Sequence, residues 1–105
     1  MNYGLNQQDI EKIRAVLEGY PEVKQAILYG SRAKGNYRLS SDVDISLVGE
    51  KLTLSDLLAI ENRLDDLLLP YKIDLSIYRL IENPGLIAHI ERVGTVFYER
   101  EGGLS

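Results

Sequence analysis

Two short stretches of the 105-residue chain carry residue types that could do chemistry. Gly30-Ser31 follows the apolar run Ala26-Ile27-Leu28-Tyr29, and Asp42 and Asp44 stand two apart at the head of a second run ending at Val48. In a strand, residues i and i+2 point to the same side. The two aspartates would therefore stand together, with Val43, Ile45 and Leu47 turned into a core. Carboxylates about 7 Å apart along a strand repel unless a cation lies between them. Hard oxygen ligands with no Cys or His beside them suit Mg²⁺. A Gly-Ser turn aims backbone N–H groups at an anion, phosphate included. Phosphate on one side and a carboxylate-held metal on the other are the two halves of a nucleotidyl-transfer site.

The surrounding pattern must hold these stretches in place. Asn6 reads as an N-cap, opening a helix with Ile10, Ile13, Ala15, Val16 and Leu17 on one face and a stop near Gly19. Val23 to Tyr29 reads as a strand, Arg32 to Asn36 as one helical turn closed by Gly35, and Asp42 to Val48 as a second strand. Thr53 or Ser55 caps the next helix, whose apolar face takes in Leu54, Leu57, Leu58, Ile60, Leu64, Leu67 and Leu68, with Pro70 as its stop. Tyr71 to Tyr78 alternates, with Ile73, Leu75 and Ile77 on one side and Asp74 and Ser76 on the other. Asn83-Pro84 opens a helix that runs to Val93, and Thr95 to Tyr98 is a short strand. Residues 100–105 read as a flexible polar tail. The order predicts an α+β fold, a small mixed β-sheet with helices packed on one face. On such a sheet Asp74 shares a side with Asp42 and Asp44.

Composition narrows the function classes. The length fits one domain over residues 1–105. A net charge of −4 argues against general nucleic-acid binding, which rests on a basic footprint. Without cysteine there is no disulfide framework or thiolate zinc site, and one histidine excludes a multi-histidine centre. No apolar run reaches membrane-spanning length and no signal peptide is apparent, so the expected compartment is the cytoplasm. Arg32, Lys34 and Arg38 form a basic cluster beside the Gly-Ser turn. His89 and the tyrosines read as core-rim or surface groups.

Gly30-Ser31, Gly35 and Ser41-Asp42-Val43-Asp44, at this spacing and each tied to a strand pattern, resemble the signature of the DNA polymerase β-like nucleotidyltransferases. The resemblance is closest to the minimal nucleotidyltransferases and spans roughly Ile10 to Glu99. It implies Asp42, Asp44 and Asp74 as catalytic metal ligands, with Asp74 also activating the attacking hydroxyl. It implies Gly30, Ser31, Arg32, Lys34 and Ser41 as nucleotide-binding residues. Two Mg²⁺ ions, or Mn²⁺, would act with ATP or another NTP, and AMP would pass to a hydroxyl. It further implies a helical HEPN-type partner, so that the pair works as toxin and nucleotidylating antitoxin. Two other readings remain open: an antitoxin that acts by binding alone, and a small-molecule nucleotidyltransferase of the antibiotic-modifying kind.

Overall fold

The computed structural model describes residues 3–100. Helix α1 (Gln7–Glu18) starts at Asn6, whose side chain accepts from the Gln8 amide, and buries Ile10, Ile13, Val16 and Leu17. Ala15 is exposed, so the apolar stripe is narrower than expected. Strand β1 (Gln25–Tyr29) runs directly into a short helix α2 (Gly30–Lys34). The expected turn at Arg32 to Asn36 thus starts two residues earlier, and Gly35 closes it in the left-handed conformation, φ 89°. Strand β2 spans Val43–Val48. Helix α3 (Leu54–Asp65) carries a reciprocal capping box between Thr53 and Asp56. Strand β3 (Ile73–Ile77), a 3₁₀ turn at Tyr78–Leu80, helix α4 (Pro84–Val93) and strand β4 (Thr95–Glu99) complete the order.

Two expectations about α3 fail. The helix ends at Asp65, before Pro70, and the chain then passes through Leu68 at φ 54°. Of the seven apolar residues assigned to its face only Ile60 and Leu64 are buried, while Leu54, Leu58 and Leu68 are exposed. Those three lie outside the stripe that the sheet can cover, and short helices commonly leave some leucine in solvent.

The sheet order is β3-β2-β1-β4. β1 pairs antiparallel with both β2 and β4, while β2 and β3 are parallel because α3 carries the chain back across. Ala26, Leu28, Val43, Ile45, Leu47, Leu75 and Ile77 join α1 and α3 in the main core. The mixed α+β sheet is the expected one, and α1 and α3 share one face of it. Helix α4 instead lies against the other side of β1: a Cβ at Gly94 would come 2.7 Å from Ile27 Cγ2, and His89 meets the Tyr29 ring edge-on with centroids 6.2 Å apart. Arg100, expected in the flexible tail, is fixed by donating to the carbonyls of Leu17, Glu18, Tyr20 and Val23. The rest of that tail, 101–105, falls outside the described residues.

Candidate active site

The junction between β1 and α2 is a sharp bend. Tyr29 is still extended, φ −139°, and Gly30 turns to φ 75°. That left-handed value favours glycine. A second constraint acts at the same atom, because a Cβ on Gly30 would run into Oδ2 of Asp44. The glycine of one motif and the second aspartate of the other are therefore in direct contact.

Register explains why. Tyr29 stands opposite Asp44 in the antiparallel β1–β2 pair, and Asp44 opposite Asp74 in the parallel β2–β3 pair. Neighbours in register share a face, so Tyr29, Asp44 and Asp74 form a row across the sheet. The next row on that side holds Ser46 and Ser76, whose hydroxyls are 3.0 Å apart. Val43, Ile45 and Leu47 point to the opposite, buried side.

Asp44 is half-buried, whereas Asp42 and Asp74 are exposed. The Asp44 carboxyl titrates above its ordinary range, first because burial disfavours the charge and then because Asp74 and Asp42 lie close. The Tyr29 phenol is pushed up by burial, drawn back by hydrogen bonding with Ser76, and raised further by Asp44 and Asp74. Among the described residues no group of three or more acidic, histidine or cysteine side chains converges tightly enough to hold a metal by itself. Asp42 and Asp74 are near enough to Asp44 to raise its pKa. The donor set nonetheless fits a hard divalent ion: oxygen only, with negative charge already in excess. Mg²⁺ needs just one or two carboxylates when phosphate and water complete its shell.

The expected phosphate residues divide. Gly30 and Ser31 carry the first amides of α2, and Lys34 is exposed at its end. Arg32 departs from expectation. It is only 1% exposed, and Nε, Nη1 and Nη2 donate to the carbonyls of Tyr3, Leu39 and Ser41. Its donors are thus turned inward to backbone, because the loop after α2 folds back over it. The Ser41 hydroxyl accepts from the Arg38 amide at 2.8 Å, and the Ser41 amide donates to the Arg38 carbonyl at 2.9 Å. Ser41 thus closes the turn that leads into β2.

Two neighbours of the carboxylates, Tyr29 and Ser76, have no site role in the sequence reading, and His89 packs on Tyr29. Tyr29 reads from sequence only as a core-rim group, and Ser76 as a strand residue that shares the Asp74 face by its spacing of two. His89 reaches Tyr29 only through the packing of α4, for which no local signal exists. A separate cleft of about 540 Å³ lies between α3 and the free edge of β3, lined by Leu64, Leu68, Tyr71, Ile73 and Leu75 among others. Ile73 and Leu75 project to the side of β3 opposite Asp74, so this cleft is not part of the carboxylate site.

Comparison with known proteins agrees with this geometry. The family model described as polymerase beta, nucleotidyltransferase matches residues 11–102. No curated protein matches the chain. Among solved structures, a toxin–antitoxin complex with AMP-PNP gives a TM-score of 0.69 at 21% identity, covering 92% of this chain and 76% of that one. A tri-AMPylated Shewanella oneidensis HEPN toxin in complex with MNT antitoxin gives a TM-score of 0.67 at 19% identity, covering 92% and 75%. A protein described as a minimal nucleotidyltransferase gives 0.60 at 26% identity, covering 87% and 98%. With the glycine–aspartate contact, the in-register carboxylates and a model match over most of its length, the chain belongs to the polymerase β nucleotidyltransferase family.

Proposed function

We propose that the protein transfers AMP from ATP to a hydroxyl on a helical HEPN-type partner, forming a phosphoester as the α–β phosphoanhydride breaks and pyrophosphate leaves, in the manner of an antitoxin that modifies its toxin. The observation that carries the transfer site is the contact of Asp44 with Gly30, beside Asp74 in strand register. It joins the phosphate turn to the acidic cluster in one place. The partner reading is supported by the toxin–antitoxin neighbours, one described with AMP-PNP and one with an AMPylated HEPN toxin.

Asp42 and Asp44 would hold Mg²⁺, with Asp74 beside them. When bound, the ion supplies Lewis-acid polarisation of the phosphoryl group and lowers the pKa of the attacking hydroxyl. The chain's own groups do the rest. The Gly30 and Ser31 amides receive triphosphate oxygens. Lys34 and the Arg38 side chain are exposed beside that turn and offset phosphate charge. Asp74 is open to solvent and is the carboxylate that orients the acceptor hydroxyl and takes up its proton. Asp74 is uncovered, and the proposed partner is what would close the site and exclude water.

The test uses the protein with the helical product of a neighbouring gene, ATP and Mg²⁺. Intact mass spectrometry of the partner should show added AMP, and the addition should vanish with Asp42→Asn. Equal inhibition of the partner by that variant, with no mass change in either case, would establish action by binding alone. Labelling of a small-molecule hydroxyl with the partner unmodified would establish the third reading.

A further inference from the structure

We infer that Arg32 is a positioning residue: it fixes the loop ahead of β2 from beneath, and thereby sets where Asp42 stands, without touching nucleotide. The catalytic consequence rests on the function proposed above; the anchor itself does not.

The contacts single out one peptide plane. Arg32 Nε and Nη2 both donate to the Ser41 carbonyl, at 3.1 and 3.0 Å. That carbonyl belongs to the peptide joining Ser41 to Asp42. Nη2 also reaches the Leu39 carbonyl at 3.3 Å, and Nη1 the Tyr3 carbonyl at 3.0 Å. The guanidinium carbon lies 5.3 Å from the ring centres of both Tyr37 and Tyr71. On the far side of Asp42, the Val43 amide donates to the Lys72 carbonyl at 2.8 Å. The backbone of Asp42 is thus held from both sides, by Arg32 before it and by the β3 side of the sheet after it.

The chemistry requires arginine. A planar fork with separated donors can serve several carbonyls while its faces meet two aromatic rings; a lysine ammonium is a point charge that cannot. Removing the donors would leave these carbonyls without their partner and free the loop. The charge is spent on backbone, and no buried polar side-chain atom among the described residues is left without a partner.

Hydrogen exchange on the metal-free protein tests the anchor. In Arg32→Met and Arg32→Lys the Arg38, Ser41 and Val43 amides should exchange at least about tenfold faster, with Ile45 and Leu47 unchanged. The Mg²⁺ concentration for half-maximal ATP-dependent activity should rise by about tenfold in both variants. Unchanged loop exchange, or wild-type behaviour of Arg32→Lys in both measurements, overturns the inference; the latter is what a plain phosphate contact would give. Should Arg32→Met not fold, Tyr37→Leu keeps the arginine and removes one ring. It should speed the same amides by a smaller factor, and wild-type exchange there overturns the inference equally. Failure of the wild type to bind Mg²⁺ and ATP would sink the proposed function while leaving the exchange result to decide the anchor.

Discussion

The two faces of the sheet are built from the same strands to opposite ends. On the α1–α3 side, Val43, Ile45 and Leu47 are at most 1% exposed and packed in one apolar cluster. On the other side, Asp44 is half-buried among like charges and Asp74 is open. Strand alternation makes this possible, since each residue of β2 serves one face only. The dry α1–α3 face holds the main apolar core, while the open carboxylate end of the other face, beyond the part that α4 covers, carries charges that repel. Function and stability can therefore be perturbed separately, one residue apart.

The largest expected effect is on the open face. Asp42→Asn or Asp44→Asn should lower transfer by about two to three orders of magnitude or more. The same changes should leave the metal-free melting temperature equal or higher, because repulsion is removed. Unfolding of both variants in thermal scans would mean that the aspartates are structural and the contrast between faces is false.

Next comes the dry face. Ile45→Ala should cost about 2–5 kcal/mol, as a cavity in a packed core does. Turnover per folded molecule, measured well below the melting temperature, should stay within a few-fold of wild type. A loss of turnover matching that of Asp44→Asn would show that the two sides are coupled.

A smaller effect separates two glycines. Both Gly30 and Gly35 have positive φ, but a Cβ at Gly35 meets nothing within 4 Å, whereas at Gly30 it meets Asp44. Gly35→Ala should cost about 1–2 kcal/mol of backbone strain and little activity. Gly30→Ala should add a displaced carboxylate, with activity falling by about tenfold or more. Equal activity of the two variants in a transfer assay would remove the contact from the mechanism.

The smallest effect is on pH dependence. Because the folded state raises the Asp44 pKa, it binds more protons than the unfolded chain between the ordinary aspartate value and the raised one. Asp44 therefore disfavours the fold increasingly as pH rises through that window. Metal-free melting curves should show this slope in the wild type and its flattening in Asp44→Asn; a steeper slope in the variant would reverse the sign of the effect.

Much of this was legible in the sequence. Asn6, Thr53 and Asn83 cap their helices as their chemistry predicts, and the period-two runs placed Val43, Ile45 and Leu47 in the core. Asp44 and Asp74 fell on one face because parity alone decides faces once two strands pair in register. What could not be read was anything that depends on distant partners. The burial of Arg32 is invisible beside the Gly-Ser turn, because Tyr3, 29 residues away, and Tyr71 complete it. The α3 leucines looked alike because sequence does not say how wide a stripe the sheet covers. The start of α2 carries no usual sequence signal, because a left-handed glycine opens the helix in place of a side-chain cap.

The position of β4 has a consequence for the chain during its synthesis. β1 is an interior strand, yet Gln25 meets Glu99 across a separation of 74 residues. Until Thr95–Glu99 has been made, Gln25–Tyr29 presents an unpaired apolar edge, even with β2 and β3 already zipped beside it. Such an edge is a template for pairing with other chains. Non-local closure of this kind is slow. The nascent protein therefore passes through a stage in which three of the four strands are in place and the hazard is association. Arg100, clasping the end of α1 one residue beyond β4, is the latch that ends that stage.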